Sequence, residues 1–420
     1  MAGNQTGTDF VYILWSQEEK LKQGIQQDQN VFFVDDLLWN AISFCASDIH
    51  LQPEESGITI RYRIDGILHH MATLSHEQAH PILSRLKVLS HLDIAQRRLP
   101  QDGHIKIMLG SEKNNSEKTY NHIIDLRIAT YPTISGEKMV IRLLDRSMRL
   151  LSLGTIGLPE NIQLHLEKII SQQQGFFLVT GPTGCGKTTT LYAILSLIND
   201  QTKNIITIED PVEYEISGIT QSQVNSLAGF TFENGLRAIL RQDPDIIMVG
   251  EIRDIQTVSI AIQASLTGHV VLSTLHTNDA PSSIARLLEM GIEPFLISST
   301  LGGVLAQRLV RRLCDICKKE VPVPDDVGTF ARKMGVVLPS MFEPRGCKAC
   351  HNFGYKGRMG LFELLIINEE LRSCIARKAD GIAIKTCAIL SGYKPMICDG
   401  LAKVASGLTS LVEVLRTTGE

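Results

Sequence analysis

The sequence predicts an α/β protein whose functional residues lie on a mostly parallel sheet, with a smaller α+β domain before it. From residue 174 to 312, short apolar runs alternate with helical patterns, as a parallel sheet with crossover helices requires. Residues 31–148 instead combine one helical stripe with strands of alternating polarity. The length of 420 residues also exceeds what one hydrophobic core usually supports, so we expect at least two domains.

The composition is typical of a soluble globular protein, with 44% hydrophobic and 20% charged residues. The net charge of −4 provides no overall attraction to nucleic acid or to an anionic membrane. No apolar stretch approaches the roughly 20 residues of a membrane-spanning helix, and the first residues lack the pattern of a signal peptide. We therefore expect a cytoplasmic protein that does not bind nucleic acid directly.

The strands of the first domain are predicted from alternation and turn residues. ITIRYRI alternates between apolar and polar residues and ends at Asp65 and Gly66, a pair typical of a two-residue hairpin turn. Two more strands are predicted at residues 123–130 and 138–144. The polar residues 110–121 before them are expected to form a solvated loop.

Changes of pattern divide the chain further. Two glycines and a proline in RLLSLGTIGLP indicate a linker between the domains. The predicted parts are a polar lead (1–30), an α+β domain (31–148), the linker (149–159), an α/β domain (160–312), a cysteine-bearing segment (313–360) and a helical segment (361–420).

A phosphate-binding loop is indicated by the string GPTGCGKT, which fits the pattern GxxxxGK[ST]. Its flanks favour this interpretation over a chance glycine-rich turn, because an apolar strand-like run precedes it and apolar residues follow at helical spacing. Backbone N–H groups of such a turn and the helix N-terminus bind phosphates, the lysine adds charge, and the threonine hydroxyl binds Mg²⁺. We predict that ATP binds to Gly181, Pro182, Thr183, Gly184, Cys185, Gly186, Lys187, Thr188 and Thr189, and that Thr188 also binds Mg²⁺.

Two acidic runs follow this loop and supply the carboxylates that phosphoryl transfer needs. The first, ITIEDPVEY, carries Glu209, Asp210 and Glu213; its alternative interpretation is a solvated turn. The second, DPDIIMVGEIRD, carries Glu251 after an apolar strand, where an ordinary strand-end acid is the alternative.

Four of the nine cysteines form two CxxC pairs. Two such turns suit one tetrahedral Zn²⁺ bound by four thiolates, Cys314, Cys317, Cys347 and Cys350. Residues 318–346 between the pairs exceed the usual spacer, so they must hold a small structure of their own. Buried free thiols or a redox pair are the alternatives to zinc.

Four strings resemble, in order and spacing, the Walker A, Asp box, Walker B and His box of the secretion-system ATPases: GPTGCGKTTTLY, ITIEDPVEY, LRQDPDIIMVGEIRD and GHVVLSTLHTNDA. The resemblance extends upstream to ASDIHLQP, RYRIDG and RLPQDG, and downstream to the cysteine pairs and TSLVEVLRTT, so it covers about residues 35–420. It implies a RecA-like ATPase domain after a PAS-like α+β domain. We identify no counterpart of the family's larger N-terminal recruitment domain in this sequence.

The resemblance also implies roles for single residues. Glu213 matches the catalytic base, Glu251 the glutamate that helps to hold Mg²⁺, and Lys187 the catalytic lysine of the phosphate-binding loop. His269 and His276 match the two histidines that sense the nucleotide state. On residue type alone, a lone histidine is more often a hydrogen-bonded structural group.

Arg127 and Arg142 match two family arginines that approach the γ-phosphate, with solvated strand arginines as the alternative. That alternative is weak for Arg142, which lies within MVIRLL, because an unpaired cation among apolar neighbours is costly. His104 departs from the family, which usually has arginine after PQDG.

For the whole protein, the resemblance implies an ATP-hydrolysing motor that assembles as a homo-hexamer. The motor acts on an integral inner-membrane platform protein, and through it on pilin or pseudopilin subunits, in type IV pilus assembly or type II secretion. It is expected in the cytoplasm, held at the inner membrane by protein partners. The alternatives are a pilus retraction ATPase, which lacks the cysteine pairs, a nucleic-acid motor, and a scaffold that only binds nucleotide.

Overall fold

A computed structural model describes residues 11–14, 29–109, 111–113, 117–119, 123–145 and 151–419. The chain divides into two compact units, Met1–Arg149 and Leu150–Glu420, and each is described by itself. Among the described residues, no helix combines the length and apolar character needed to cross a membrane.

The first unit is built on a seven-stranded sheet. Its strands and those of a separate hairpin are β1 (Val11–Leu14), β2 (Ala46–Glu54), β3 (Gly57–Ile64), β4 (Ile67–Leu74), β5 (Gln101–Leu109), β6 (Ser111–Lys113), β7 (Glu117–Thr119), β8 (Ile123–Thr133) and β9 (Gly136–Asp145). The sheet order is β1-β5-β8-β9-β2-β3-β4, with only the β1–β5 pair parallel among these strands.

Three short strands lie where the sequence predicted none. β6 and β7 pair within residues 110–121, so the expectation of a loop there is wrong for these strands; residues 110, 114–116 and 120–121 lie outside the described residues. β1 lies within the polar lead and pairs with β5, and the rest of residues 1–28 is likewise outside the described part.

Helices cover one face of this sheet. α1 (Gln29–Ser43) and α2 (His76–Leu89) pack there, and Ser75 and Gln78 form a capping box at the start of α2. Strand alternation places apolar side chains such as Leu51 on the covered face and charged ones on the other. The predicted hairpin turn at Asp65 and Gly66 is confirmed, and both residues have positive φ.

The second unit contains a seven-stranded sheet that is parallel except at one edge. Its strands, with those of a separate two-stranded sheet, are β10 (Gly175–Thr180), β11 (Ile205–Glu209), β12 (Thr220–Gln223), β13 (Ile246–Val249), β14 (Val270–Leu275), β15 (Leu301–Leu313), β16 (Lys319–Val321), β17 (Met341–Glu343) and β18 (Tyr355–Ile366). The sheet order is β12-β11-β13-β14-β10-β15-β18, and only β15 and β18 pair antiparallel in it.

Helices pack on both faces of this sheet, which is why β11, β13 and β14 are buried along their whole length. The helices are α3 (Glu160–Ile170), α4 (Lys187–Ile198), α5 (Phe232–Ile239), α6 (Ile255–Leu266), α7 (Ala280–Glu289), α8 (Pro294–Thr300), α9 (Asp325–Lys333), α10 (Glu369–Ala376), α11 (Gly381–Leu390), α12 (Met396–Ala405) and α13 (Leu411–Thr418). The mixed α/β fold class predicted from the sequence is confirmed.

The cysteine-bearing segment is an insertion between two paired strands. Its spacer contains β16, α9 and β17, so it holds a small structure of its own, as expected. The boundaries drawn at residues 312/313 and 360/361 fall inside β15 and β18, which pair over most of their length.

Candidate functional site

Four loops of the second unit meet at the carboxyl edge of its parallel sheet. β11, β13, β14 and β10 are neighbours in that order, and each is followed by a segment that the sequence singled out. Carboxyl ends of parallel strands form the usual ligand crevice of open α/β sheets. The fold thus brings together the glycine-rich loop and the loops that carry Glu213, Glu251 and His276.

The glycine-rich loop joins β10 to α4, so the strand and the helix expected on its two sides are present. Gly181 has a φ of +149°, and a Cβ there would lie 2.5 Å from the carbonyl oxygen of Gln307. Gly186 has a φ of +87° and caps α4. Both positions require glycine. Of the nine predicted ATP-binding residues, Pro182, Thr183 and Gly184 are exposed, Gly181 and Cys185 are buried, and Gly186, Lys187, Thr188 and Thr189 are half-buried.

Lys187 folds back over this loop. Its Nζ donates to the carbonyl oxygens of Gly181 (2.8 Å) and Pro182 (3.1 Å) and lies 3.5 Å from Nδ1 of His276. Burial lowers the pKa of Lys187, while the nearby Glu251 carboxylate opposes that change. The two carbonyl contacts hold the Lys187 ammonium over the glycine-rich loop, which leads into the N-terminus of α4. Helix N-termini favour anions.

Glu251 follows β13 and is mostly buried, with 19% of its side chain exposed. It accepts a hydrogen bond from Arg253, and its Oε2 lies 3.4 Å from Nε2 of His276. Burial alone would raise the pKa of Glu251, but Arg253 and His276 outweigh burial and lower the pKa. His276 thus lies between Lys187 and Glu251.

The first acidic run separates into a buried and an exposed part. Glu209 is 2% exposed and accepts hydrogen bonds from Tyr192, Thr207 and Gln221. Asp210 and Glu213 are exposed on the loop that follows. Glu213 therefore has the access to solvent that activation of an attacking water requires, whereas Glu209 does not.

His269 lies at the other end of β14 from His276. Its Nδ1 is 2.9 Å from the carbonyl oxygen of Ala264, at the end of α6. Seven residues of extended strand correspond to roughly 20 Å, so the fold does not bring His269 to the glycine-rich loop of the same chain.

Arg127 and Arg142 belong to the first unit and lie directly opposite each other on β8 and β9. His104 lies opposite Arg127 on β5, and all three line an open groove of about 690 Å³ on the uncovered face of the sheet. Arg142 is 63% exposed, and its Nε donates to Oδ1 of Asp48 at 3.2 Å. Arg142 is therefore not an unpaired cation among apolar neighbours, as its place in MVIRLL suggested, because strand alternation turns its side chain away from them.

Sequence reasoning missed two polar residues beside the glycine-rich loop. Gln307 is 2% exposed; its Nε2 donates to the carbonyl oxygen of Cys185 (2.6 Å), and its Oε1 accepts from the Thr190 hydroxyl (2.7 Å). The next residue, Arg308, donates to the carbonyl oxygen of Asn278 (2.6 Å). A glutamine within the apolar run LGGVLAQRLV was the available signal, since a buried polar side chain needs a partner.

The four cysteines of the CxxC pairs form one cluster. Sγ–Sγ distances are 3.9 Å for Cys314–Cys347, 3.8 Å for Cys317–Cys350 and 3.7 Å for Cys347–Cys350. A tetrahedral ion with Zn–S bonds of about 2.3 Å spaces its sulfurs by about 3.8 Å, so the cluster fits this geometry. Burial raises the pKa of Cys350, but backbone N–H groups of Cys347 and Gly354 outweigh burial and lower that pKa to about 7.

Comparisons with known proteins agree on the family. The family described as type II/IV secretion system protein matches residues 26–416. The type II secretion system protein E of Pseudomonas aeruginosa is 46% identical over 388 residues, which are 92% of this chain and 75% of that protein. The type II secretion system ATPase E of Vibrio cholerae is 43% identical over 404 residues, 96% of this chain and 78% of that protein.

The fold also resembles a solved structure. The X-ray structure of the Legionella pneumophila ATPase DotB superposes with a TM-score of 0.64 at 23% identity, covering 93% of this chain and 96% of that one.

Proposed function

The chain belongs to the type II/IV secretion system protein family, and from this membership we propose how its residues hydrolyse ATP and pass on the work. The protein is an ATPase of secretion machinery. The observation that carries the proposal is the chain of contacts from Lys187 through His276 to Glu251, at the edge where the glycine-rich loop and the Glu213 loop also meet.

Residues 181–189 hold the phosphates of ATP. Their backbone N–H groups and the start of α4 face the anion, and Lys187 exchanges its two loop carbonyl partners for phosphate oxygens. Thr188 and Glu251 offer the hydroxyl and carboxylate oxygens that suit Mg²⁺, which, when bound, neutralises charge on the β- and γ-phosphates.

Glu213 acts as the general base. It is exposed on the loop after β11, so its carboxylate can accept a proton from a water molecule that attacks the γ-phosphate. His276 senses the nucleotide, because any change in Lys187 or Glu251 alters its two contacts. His269 remains a predicted sensor whose contacts within this chain are those of a helix-end group.

Arg127 and Arg142 supply positive charge to the γ-phosphate of ATP during hydrolysis. Their exposure and alignment on adjacent strands support this role, because both guanidinium groups face the same open groove. Asp48 orients Arg142 through the Nε hydrogen bond.

The motor works as a homo-hexamer at the cytoplasmic face of the inner membrane, where an integral platform protein receives the motion and acts on pilin or pseudopilin subunits. Relatives named for type II secretion favour this motor function over pilus retraction or a nucleic-acid motor.

One Zn²⁺ binds to the four cysteines of the CxxC pairs, Cys314, Cys317, Cys347 and Cys350. Their sulfur spacing supports this site.

Glu213→Gln tests the proposed base. The variant should bind ATP normally and lose hydrolysis by at least about 10²-fold, because it keeps the shape of the side chain and removes the proton acceptor. Binding and single-turnover hydrolysis measure the two steps separately. Glu215→Gln, on the same loop and also exposed, is the matched control and should hydrolyse normally. Normal turnover by Glu213→Gln would mean that another group is the base.

A further inference from the structure

A buried polar network lies beneath the loop that carries Glu213. Its centre is Tyr192, which is fully buried on α4, five residues after Lys187. The Tyr192 hydroxyl donates a hydrogen bond to Oε2 of Glu209, at the end of β11. Because α4 begins at the glycine-rich loop, this bond joins the phosphate-binding element to the strand that leads to Glu213.

Glu209 accepts two further hydrogen bonds. The Thr207 hydroxyl (2.7 Å) and Nε2 of Gln221 (3.1 Å) both donate to its Oε1. A carboxylate with three donors is well satisfied, and such a network rigidifies the groups it joins.

The network also contacts the backbone of the Glu213 loop. The Glu213 N–H group points to the Tyr192 hydroxyl oxygen at 3.4 Å. Gln221 donates to the carbonyl oxygen of Tyr214 (3.2 Å) and accepts from the Ile216 N–H group (2.7 Å). The rings of Tyr192 and Tyr214 pack edge to face with centroids 4.6 Å apart. The loop is therefore held at Glu213 itself and at Tyr214 and Ile216 just after it.

We propose that Tyr192 is a positioning residue, which holds Glu213 at a set distance from the glycine-rich loop through its hydroxyl contacts with Glu209, Gln221 and the loop backbone. The inference rests on the proposed role of Glu213 as the base. Packing alone does not explain the hydroxyl, since phenylalanine would fill the same apolar cluster without burying a polar atom. A misplacement of about 1 Å at a catalytic group can cost about 10² in rate, so holding this loop matters to turnover.

The test is a double-mutant cycle of Tyr192→Phe with Glu213→Gln. In the otherwise unchanged protein, Tyr192→Phe should lower kcat roughly tenfold and leave the Kd for ATP within about twofold, because the substrate contacts are not altered. In the Glu213→Gln background, Tyr192→Phe should cause no further loss, since the group it positions is already gone.

Two more variants separate positioning from folding. Tyr393→Phe removes another tyrosine hydroxyl that bonds a buried glutamate, Glu363, and should lower the melting temperature without changing kcat. Gln221→Met removes the amide ties but leaves the Tyr192 ring in place, and it should lower kcat as Tyr192→Phe does. If Tyr192→Phe does not fold, the kcat of Gln221→Met tests the positioning of the Glu213 loop instead.

Each outcome identifies what fails. The positioning role of Tyr192 is overturned if kcat is unchanged in Tyr192→Phe or in Gln221→Met. It is also overturned if Tyr192→Phe causes the same fractional loss of kcat with and without Glu213→Gln. In both cases Glu213 remains the proposed base. Normal hydrolysis by Glu213→Gln alone overturns the base and this inference with it.

Discussion

His276 has two charged neighbours, one on each ring nitrogen. Nδ1 is 3.5 Å from the ammonium of Lys187 and Nε2 is 3.4 Å from the carboxylate of Glu251. A neutral imidazole that accepts at Nδ1 and donates from Nε2 satisfies both neighbours. Any displacement of Lys187 or Glu251 would therefore alter a contact of His276.

At this residue scale, Lys187→Ala should abolish turnover and leave the fold intact. The variant removes a cation from the phosphate site but no apolar contact of the core, so we expect a loss of at least about 10²-fold in kcat. ATPase rate and melting temperature measure the two effects. Lys203→Ala is the matched control, because the Lys203 ammonium forms a surface ion pair with Asp200 (3.7 Å). ATPase activity retained by Lys187→Ala would refute the function of the glycine-rich loop.

At the scale of elements, Glu413 attaches α13 to β15. Its side chain is fully buried and accepts from Arg311 Nη2 (2.8 Å) and Arg416 Nη2 (2.9 Å), while the Arg311 guanidinium lies 3.9 Å from the centre of the Tyr355 ring. Burial raises the pKa of Glu413, but the two arginines outweigh burial and lower that pKa to about 2. The ion pair between Glu413 and Arg311 thus attaches α13 to β15 and depends on the ionised Glu413 carboxylate.

Glu413→Gln should weaken this attachment by about 3 kcal/mol at neutral pH, because one partner of a buried ion pair is removed. Amide hydrogen exchange of α13 measures the loss. Glu369→Gln, in another Glu–Arg pair three residues apart but 96% exposed, should exchange as the unchanged protein does. Equal protection of α13 with and without the Glu413 change would contradict the assignment.

The same pair predicts a pH dependence with a definite sign. Since the pKa of Glu413 in the folded protein lies below its usual 4.5, the contribution to stability is present above about pH 4.5 and is lost as the pH falls towards 2. The difference in α13 protection between Glu413→Gln and the unchanged protein should therefore be constant from pH 7 to 5 and shrink below 4.5.

The cysteine cluster is the second element with a direct test. Elemental analysis should find about one zinc per chain. Cys347→Ser should lose the metal and expose the paired strands β16 and β17 to protease, because metal binding contributes to the folding free energy of this segment. Cys45→Ser, at an exposed cysteine outside the cluster, is the control. A metal-free protein whose β16 and β17 strands resist protease would contradict the zinc site.

At the scale of the whole molecule, Arg142→Ala should cut turnover by roughly 10³ to 10⁵ while changing ATP affinity much less. Arg63→Ala removes a half-buried arginine that shares Asp48 with Arg142, and it should retain activity. Inactive Arg142→Ala and inactive Lys187→Ala subunits, mixed in one ring, should regain part of the activity if the arginine acts on a neighbouring subunit. If activity does not recover in rings that are shown to exchange subunits, Arg142 acts on the ATP bound to its own chain.

Short-range patterns in the sequence determined the local turns, the cysteine cluster and the fold class of this protein. The glycine-rich loop, the Asp65–Gly66 turn and the two CxxC pairs each depend on a few consecutive residues whose backbone needs or ligand chemistry are specific. Continuous apolar runs likewise predicted a parallel sheet covered on both faces, and this fold class is confirmed.

Only the tertiary structure decided which distant residues meet. Strand register turned Arg142 outward to Asp48, and strand direction separated His269 from His276. The order of β10, β11 and β15 in the sheet brought Tyr192 into contact with Glu209 and Gln307 into contact with the glycine-rich loop. Such contacts join residues far apart in the chain, and a polar residue's type does not specify its partner. Its partner follows from which strands are neighbours and from their register, which the packing of the whole sheet determines.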